Sequence, residues 1–362
     1  MLFNSLSQLL LLPAVLRVAL AQNTTSYSSD ACNNSPSLCN QQYNQITHLG
    51  SHNAASIRDD STGFSLSGNQ YYNTTVQLSA GVRLLSAQVH SRDGQWRLCH
   101  TSCDLLDSGT LSDWLGEIRD WMYENPNDVV TVLLVNADAA SASDLAGEYE
   151  SAGVTQNSYQ PSFDEGTTNW PTLQALIDAD TRLVTFVASL NDNAAAPYLL
   201  NQFDYVFEND YDNLQPSDFS CTPSRPGRVE GNSAAALDQG LMPLMNHFLY
   251  EEQAFGVQIP DEGNVTTTNA PGSEVGMLGA AASECTAEYG RPPTFIMVDF
   301  FNVGPAIETV DRLNGVEEAV NRRSVPDTIQ SASTGAAGAL RTTGTWSYLV
   351  AAGAAMVVWG IA

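Results

Sequence analysis

The sequence predicts an α/β protein built as an irregular (β/α) barrel of the TIM type. Three observations carry this. Strand-like runs alternate with amphipathic helical segments along one stretch, residues 42–325, without an internal repeat or a strong linker. Two of the runs are almost continuously apolar, as strands buried on both faces of a parallel sheet require. Polar and titratable residues gather at the carboxyl ends of the runs, where barrel enzymes place their chemistry.

In order, the strand-like runs are YNQITHL (43–49), VRLLSAQVH (82–90), VVTVLLVN (129–136), RLVTFVA (182–188), YVFEN (205–209), LMPLMNHF (241–248) and TFIMVDFF (294–301). The third and the last are the apolar ones. Between them, LSDWLGEIRDWMYENP (111–126) reads as a helix: Leu111, Trp114, Ile118 and Met122 form one stripe, Ser112 offers a cap and Pro126 a stop. SASDLAGEYESAG (141–153), PTLQALIDAD (171–180) and PAIETVDRLNGV (305–316) read likewise. No glycine-rich phosphate loop follows the first strand, which disfavours a doubly wound dinucleotide-binding sheet.

The two ends carry different signals. Residues 1–21 read as a secretory signal peptide, with an apolar run too short to span a bilayer and Ala19-Leu20-Ala21 as the cleavage site. Residues 22–41 form an N-terminal arm. Residues 326–362 form a Ser/Ala/Gly-rich tail ending in WSYLVAAGAAMVVWGIA, the pattern of a GPI-attachment signal, with attachment expected within 331–337. Six cysteines in a secreted chain suggest three disulfides. Spacing invites Cys32–Cys39 and Cys99–Cys103, leaving Cys221 with Cys285, with other connectivities open. Asn23, Asn33, Asn73 and Asn264 head glycosylation sequons. All 14 basic residues are arginines against 40 acids, and the net charge of −26 disfavours nucleic acid and resists anionic membranes.

Strand parity sharpens the candidate site. Ser86, Gln88 and His90 point one way on the second strand, and Phe295, Met297 and Asp299 share a face on the last. With His52 and Asn53 in ITHLGSHNAAS, these residues converge on the barrel mouth. Asn136, Glu208, Asn209, Asn246 and His247 stand at other strand ends. His100 lies in RLCHTSC between two cysteines. His48 reads as an interior packing residue, and Arg83, of opposite parity to Gln88, as a structural ion-pair residue.

The ordered set GSHNA, GVRLLSAQVH, RLCHTSC, CDLLDSGTL, NPNDVVTVLLVN, NHF (246–248), YGRPPTFIMVDFFNVG and LNGV resembles the X domain of phosphatidylinositol-specific phospholipase C. The likeness to the secreted fungal PLC-like phosphodiesterases covers roughly residues 42–320. The resemblance implies acid–base attack on a phosphodiester lipid or glycerophosphodiester, with His52 as base, His100 as acid and Asp299 orienting the base. Asn53, Gln88, His90, Asn136, His247 and Arg58 are the candidate substrate contacts.

The chain departs from the family at the charge stabiliser. Metal-independent members carry an arginine on the second strand, and calcium-dependent ones carry acidic residues beside the Asn of S-H-N. Here those positions are Ser86, Gln88 and Asn136, and only Asn53 matches the calcium set. No cofactor is therefore expected, and calcium, if bound, would be held through Asn53 with poor affinity. Gln88, His90, Arg58 and His247 are the candidates to compensate, His90 foremost. A metal-dependent glycerophosphodiesterase or sphingomyelinase-D-like enzyme needs Glu-x-Asp where this chain has Ser86-Ala87-Gln88. The reading from a different class is a barrel without catalysis, serving as a wall or surface binding protein.

Overall fold

The computed structural model describes residues 26–331. The expected signal peptide, the Asn23 sequon and nearly all of the C-terminal attachment signal lie outside the described residues. In chain order the strands are β1 (His48–Ser51), β2 (Leu84–Arg92), β3 (Gln95–Cys99), β4 (Asp107–Thr110), β5 (Val130–Asn136), β6 (Leu183–Ala188), β7 (Leu199–Asn201), β8 (Val206–Glu208), β9 (Met242–Asn246), β10 (Tyr250–Glu252), β11 (Gln258–Pro260) and β12 (Phe295–Val298).

Eight of these run parallel in one curled sheet, in the order β7-β6-β5-β2-β1-β12-β9-β8. That is chain order followed around a ring, the topology of a (β/α) barrel. Among the described residues no ladder joins β7 to β8, and a one-turn helix, α5 (Gln202–Tyr205), bridges this seam. The exposed edge of β8 is engaged by a loop: Glu208 and Arg225 form an antiparallel bridge, with N–H of each donating to C=O of the other at 2.9 and 3.2 Å. Strands β3 and β4 extend β2 as antiparallel arms above the mouth, and β10–β11 is a separate hairpin on the same side.

Period-two alternation sorts the side chains into two layers. Leu84, Leu133, Val184, Phe186, Leu200, Leu244, Phe295 and Met297 fill the barrel interior together with Tyr43 and Trp170. The alternate residues, such as Leu85, Val89, Val132, Leu134 and Ile296, pack outward against the helices. Interior parity is therefore that of Gln88, His90 and Asp299, as the sequence implies. Gly50 faces inward on β1, where a Cβ would lie 2.7 Å from Leu84 Cδ2, so the close approach of β1 and β2 requires glycine.

The outer layer includes α1 (Thr74–Ala80), α2 (Leu111–Glu124), α3 (Ala142–Ala152) and α4 (Leu173–Asp178). Short α6 (Ser233–Asp238) and α7 (Val265–Thr268) precede α8 (Leu278–Tyr289) and α9 (Ala306–Leu313). The stripe expected on α2 is buried, but the cap is Thr110, which accepts from Asp113 N–H, rather than Ser112. The first strand starts only at His48; Tyr43–Gln45 is a 3-10 turn whose Tyr43 ring plugs the barrel floor, its hydroxyl 2.7 Å from Thr131 Oγ1.

The N-terminal arm closes the amino end of the barrel. Asn33 accepts from Val129 N–H, and Arg83, buried, donates to Asp128 at 2.7 Å and to Asn34 at 2.9 Å. Arg83 thus has the structural role its parity predicts. All three expected disulfides are formed: Cys32–Cys39, Cys99–Cys103 and Cys221–Cys285. The sequon asparagines divide. Asn73 and Asn264 are exposed, whereas Asn33 is 6% exposed and wedged under β5, which corrects its reading as a glycan acceptor.

Candidate active site at the carboxyl end of the barrel

His52 follows β1 directly, and its backbone N–H extends the ladder by donating to Val298 C=O at 2.9 Å. Asp299 follows β12 in the same way, so two neighbouring strands deliver an imidazole and a carboxylate to one point. His52 Nδ1 lies 3.0 Å from Asp299 Oδ1. Because a carboxylate only accepts, this contact places the ring proton on Nδ1 and leaves Nε2 with its lone pair. The Asn53 amide nitrogen sits 3.2 Å from that Nε2, with Asn53 in the left-handed region at φ 44.

The pair is braced on every side. Asn69 Nδ2 donates to the same Asp299 Oδ1 at 2.9 Å and lies 3.2 Å from His52 Nδ1. Gln70 ties the two strand ends together: its Nε2 donates to His52 C=O and Val298 C=O at 2.9 and 3.1 Å, and its Oε1 accepts from Phe301 N–H. Phe248 stacks on the His52 ring at 3.9 Å and 7°, and Tyr250 meets it edge-on at 6.2 Å. Asp299 Oδ2 is buried without a partner.

His100 arrives from β2's side of the mouth. It follows β3 in a loop stapled by Cys99–Cys103, its N–H donating to Leu106 C=O at 3.1 Å. Gln88 anchors the same loop by accepting from Thr101 N–H at 3.0 Å. His100 is 3% exposed and its Nδ1 has no partner. Burial, followed by the nearness of His52, pulls its pKa down to about 3, so the resting imidazole is neutral.

Glu208 and Arg225 occupy the far side of the mouth. Glu208 is buried at an interior position, its pKa raised by burial, and it pairs with Arg225, which lies over the Tyr211 ring at 4.5 Å.

With barrel order, a His–Asp pair at adjacent strand ends and a second histidine in the stapled loop beyond β3, the comparisons with known proteins agree. The family model described as PI-PLC X 1 matches residues 38–314. The chain belongs to the PI-PLC X family. "PI-PLC X domain-containing protein 1" of Arthroderma benhamiae is 31% identical over 316 residues, covering 86% of this chain and 99% of the relative. An "Uncharacterized secreted protein" of the same organism is 33% identical over 279 residues, 75% of this chain but only 60% of that protein. Among solved structures, phosphatidylinositol-specific phospholipase C from Listeria monocytogenes shares the fold, with TM-score 0.51 and 14% identity, over 76% of this chain and 95% of that one.

Within this PI-PLC X barrel, the expected site residues separate into those that converge and those that do not. His52 touches Asp299 through Nδ1 and Asn53 through Nε2, and Gln88 holds the loop of His100 through Thr101 N–H at the neighbouring strand. His90 stands one pleat beyond Gln88, with Nδ1 3.5 Å from Asp138 Oδ1. Asn136 does not face the mouth: it has the outward parity of Val132 and Leu134, and its amide exchanges hydrogen bonds with Ala140 at 2.7 and 2.9 Å.

His247 is also structural. Fully buried, with pKa lowered to about 4, it donates from Nε2 to Thr268 C=O and stacks on Phe219 at 4.0 Å. It borders a cleft of about 410 Å³ whose walls include Met245, Cys221 and Cys285, residues of the outer layer rather than of the mouth. Arg58 is bound to Glu262 at 3.1 Å. Asn69, Gln70, Phe248 and Tyr250 complete the centre without having been singled out as ligands. Only the NHF motif pointed toward Phe248.

The residues around Asn53 do not fit a calcium ion. Ser86 Oγ accepts from Asn53 N–H at 2.9 Å, Gln88 Oε1 is held by Thr101, and Asn136 faces away. Asp299 commits Oδ1 to His52 and Asn69, which leaves one carboxylate oxygen, Oδ2, for an ion that takes about six to eight oxygen ligands. Among the described residues the only metal-type cluster is Cys99, Cys103 and Asp107, and its two thiols are joined in a disulfide.

Proposed function

We propose that this chain is a phosphodiesterase that cleaves a phosphoinositide or a related phosphodiester lipid by histidine acid–base catalysis. The observation that carries the reading is the His52–Asp299 contact of 3.0 Å on the interior face of the mouth. A substrate hydroxyl next to the phosphodiester takes the place of the Asn53 amide against His52 Nε2, which removes its proton. The freed oxygen attacks phosphorus and forms a cyclic phosphate. The P–O bond to the lipid alcohol breaks, and His100 supplies the proton to the departing oxygen. His100 is neutral at rest, so the negative charge of the bound phosphate must raise its affinity for that proton.

The secretory reading of residues 1–21, together with the name of the secreted relative, supports a location outside the cell. The GPI-type signal supports a lipid tether on the outer leaflet, and the exposed Asn73 and Asn264 are the glycan sites favoured within the described residues.

Release of a water-soluble phosphate from phosphatidylinositol, followed with the purified protein, tests the activity. His52→Ala and His100→Ala are each expected to lose about 10²–10⁴ in rate, and addition of calcium or a chelator should change little. Variants as active as the parent would sink the assignment. A second reading, a barrel that binds its ligand without turnover, draws support from the absent arginine and from the burial of His52 and His100, which are 7% and 3% exposed. Inositol phosphate bound without hydrolysis would favour it.

A further inference from the structure

The last described stretch of the chain connects the two ends of the barrel. At the floor, Val320 N–H donates to Asn34 C=O at 2.9 Å and Asn321 N–H to Ser26 C=O at 3.0 Å, both in the N-terminal arm. Arg323 N–H donates to Ser79 C=O at 2.8 Å near the end of α1, and Val325 packs against the outer layer. Beyond Val325 the loop that leaves β12 takes hold. Buried Asn302 donates from Nδ2 to Pro326 C=O at 2.8 Å and to Thr328 C=O at 3.3 Å. Asp327 Oδ1 accepts Gly304 N–H at 2.8 Å. That loop also carries Asp299, so residues 320–331 form a strap that climbs from the floor and leaves the barrel at its mouth end.

The mouth end also exposes apolar side chains. Leu66 lies in the loop after β1, Leu105 in the stapled loop of His100, Val257 in the β10–β11 hairpin and Ile329 in the strap, each 41–55% exposed. A net charge of −26 opposes an anionic surface, so this rim fits an uncharged lipid face.

We propose that the strap turns the mouth toward the bilayer in which the tail is tethered, with Leu66, Leu105, Val257 and Ile329 against an uncharged lipid surface. The centre then works on lipids of its own membrane. The inference rests on the lipid-tether and phosphodiesterase readings and supplies the geometry between them. Attachment is expected within 331–337, so the tether beyond the strap is at most about 20 Å of extended chain. A tether that short, leaving from the mouth end, keeps the mouth on the membrane side. The same tether leaving from Val320 would present the floor.

The test uses the lipid-anchored chain inserted into phosphatidylcholine vesicles that carry an acceptor dye on the lipid headgroup. All six cysteines are in disulfides, so Leu66→Cys and Tyr123→Cys each create a single site for a donor dye. Tyr123 marks the floor, because Arg182, just before β6, donates to Met122 C=O and Asn125 C=O at 3.1 Å. It stands at the far end of α2, a helix about 21 Å long. Energy transfer should be severalfold stronger from residue 66 than from residue 123. Adding Leu105→Asp and Val257→Asp should lower the transfer from residue 66, and an unchanged value would mean that the rim is not seated on lipid. A chain that does not stay with the vesicles removes the tether reading and this inference with it. Stronger transfer from residue 66 without turnover of phosphatidylinositol in the same vesicles leaves the orientation standing and removes the phosphodiesterase. Turnover with equal transfer from the two sites, or with stronger transfer from residue 123, overturns the orientation and leaves the enzyme.

Discussion

A single oxygen organises the candidate centre: Asp299 Oδ1 takes donors from both His52 and Asn69, while Oδ2 has none. Asn69 is therefore a positioning residue, fixing the carboxylate that fixes the base. Asn69→Ala leaves a buried carboxylate with one donor, and denaturant unfolding should show a loss of about 1–3 kcal/mol. In the same variant kcat should fall with KM little changed, since no substrate contact is removed; a KM effect alone would contradict this role. His52 and Asp299 were legible because each sits one step past an apolar strand, where parity decides its direction. Asn69 was not, because GNQ (68–70) lies in an irregular loop with no period to read. Asn136 misled for the opposite reason: its place at a strand end suggested the mouth, but the alternation Val130, Val132, Leu134 already turned it outward.

At the scale of elements, the β3–β4 arm determines where His100 stands. The arm reaches the mouth through Gln88 and is pinned by Cys99–Cys103, which encloses His100 itself. The paired replacement Cys99→Ser/Cys103→Ser should cost at least about tenfold in kcat through lost orientation, with the far-UV circular dichroism of the barrel retained. An undiminished kcat would mean that the loop is held by Gln88 and Leu106 alone. The eight-strand path was largely visible in the sequence, because fully apolar runs announce strands covered on both faces. The remaining elements were hidden by length or composition. Strands β7, β10 and β11 have three residues each, too few for alternation to register. Helix α8 reads LGAAASECTAEY, small residues with no strong stripe, and its N-cap Met277 makes no side-chain cap bond.

For the whole molecule, three buried imidazoles make stability depend on pH. Burial lowers His48 and His247 to about 4, and burial with nearby His52 lowers His100 to about 3, against an ordinary 6.5. The unfolded chain therefore takes up protons first, so stability is complete above about pH 6.5 and drains away as pH falls toward 4. Each should withdraw on the order of 2 kcal/mol by about pH 5. Thermal melts near pH 7 and pH 5 should show the loss, and His247→Gln, which keeps a donor toward Thr268, should flatten it; an identical slope would count against the assignment. The seam between β7 and β8 has another consequence at this scale. An unclosed sheet presents free N–H and C=O groups that invite a neighbouring molecule to add a strand. Here one margin is only three residues long, and the other is already occupied by Ser224 and Arg225, both of which donate backbone N–H to Glu208 C=O. The chain supplies its own stopper, so a ring left open by one ladder gives no template for intermolecular β-pairing.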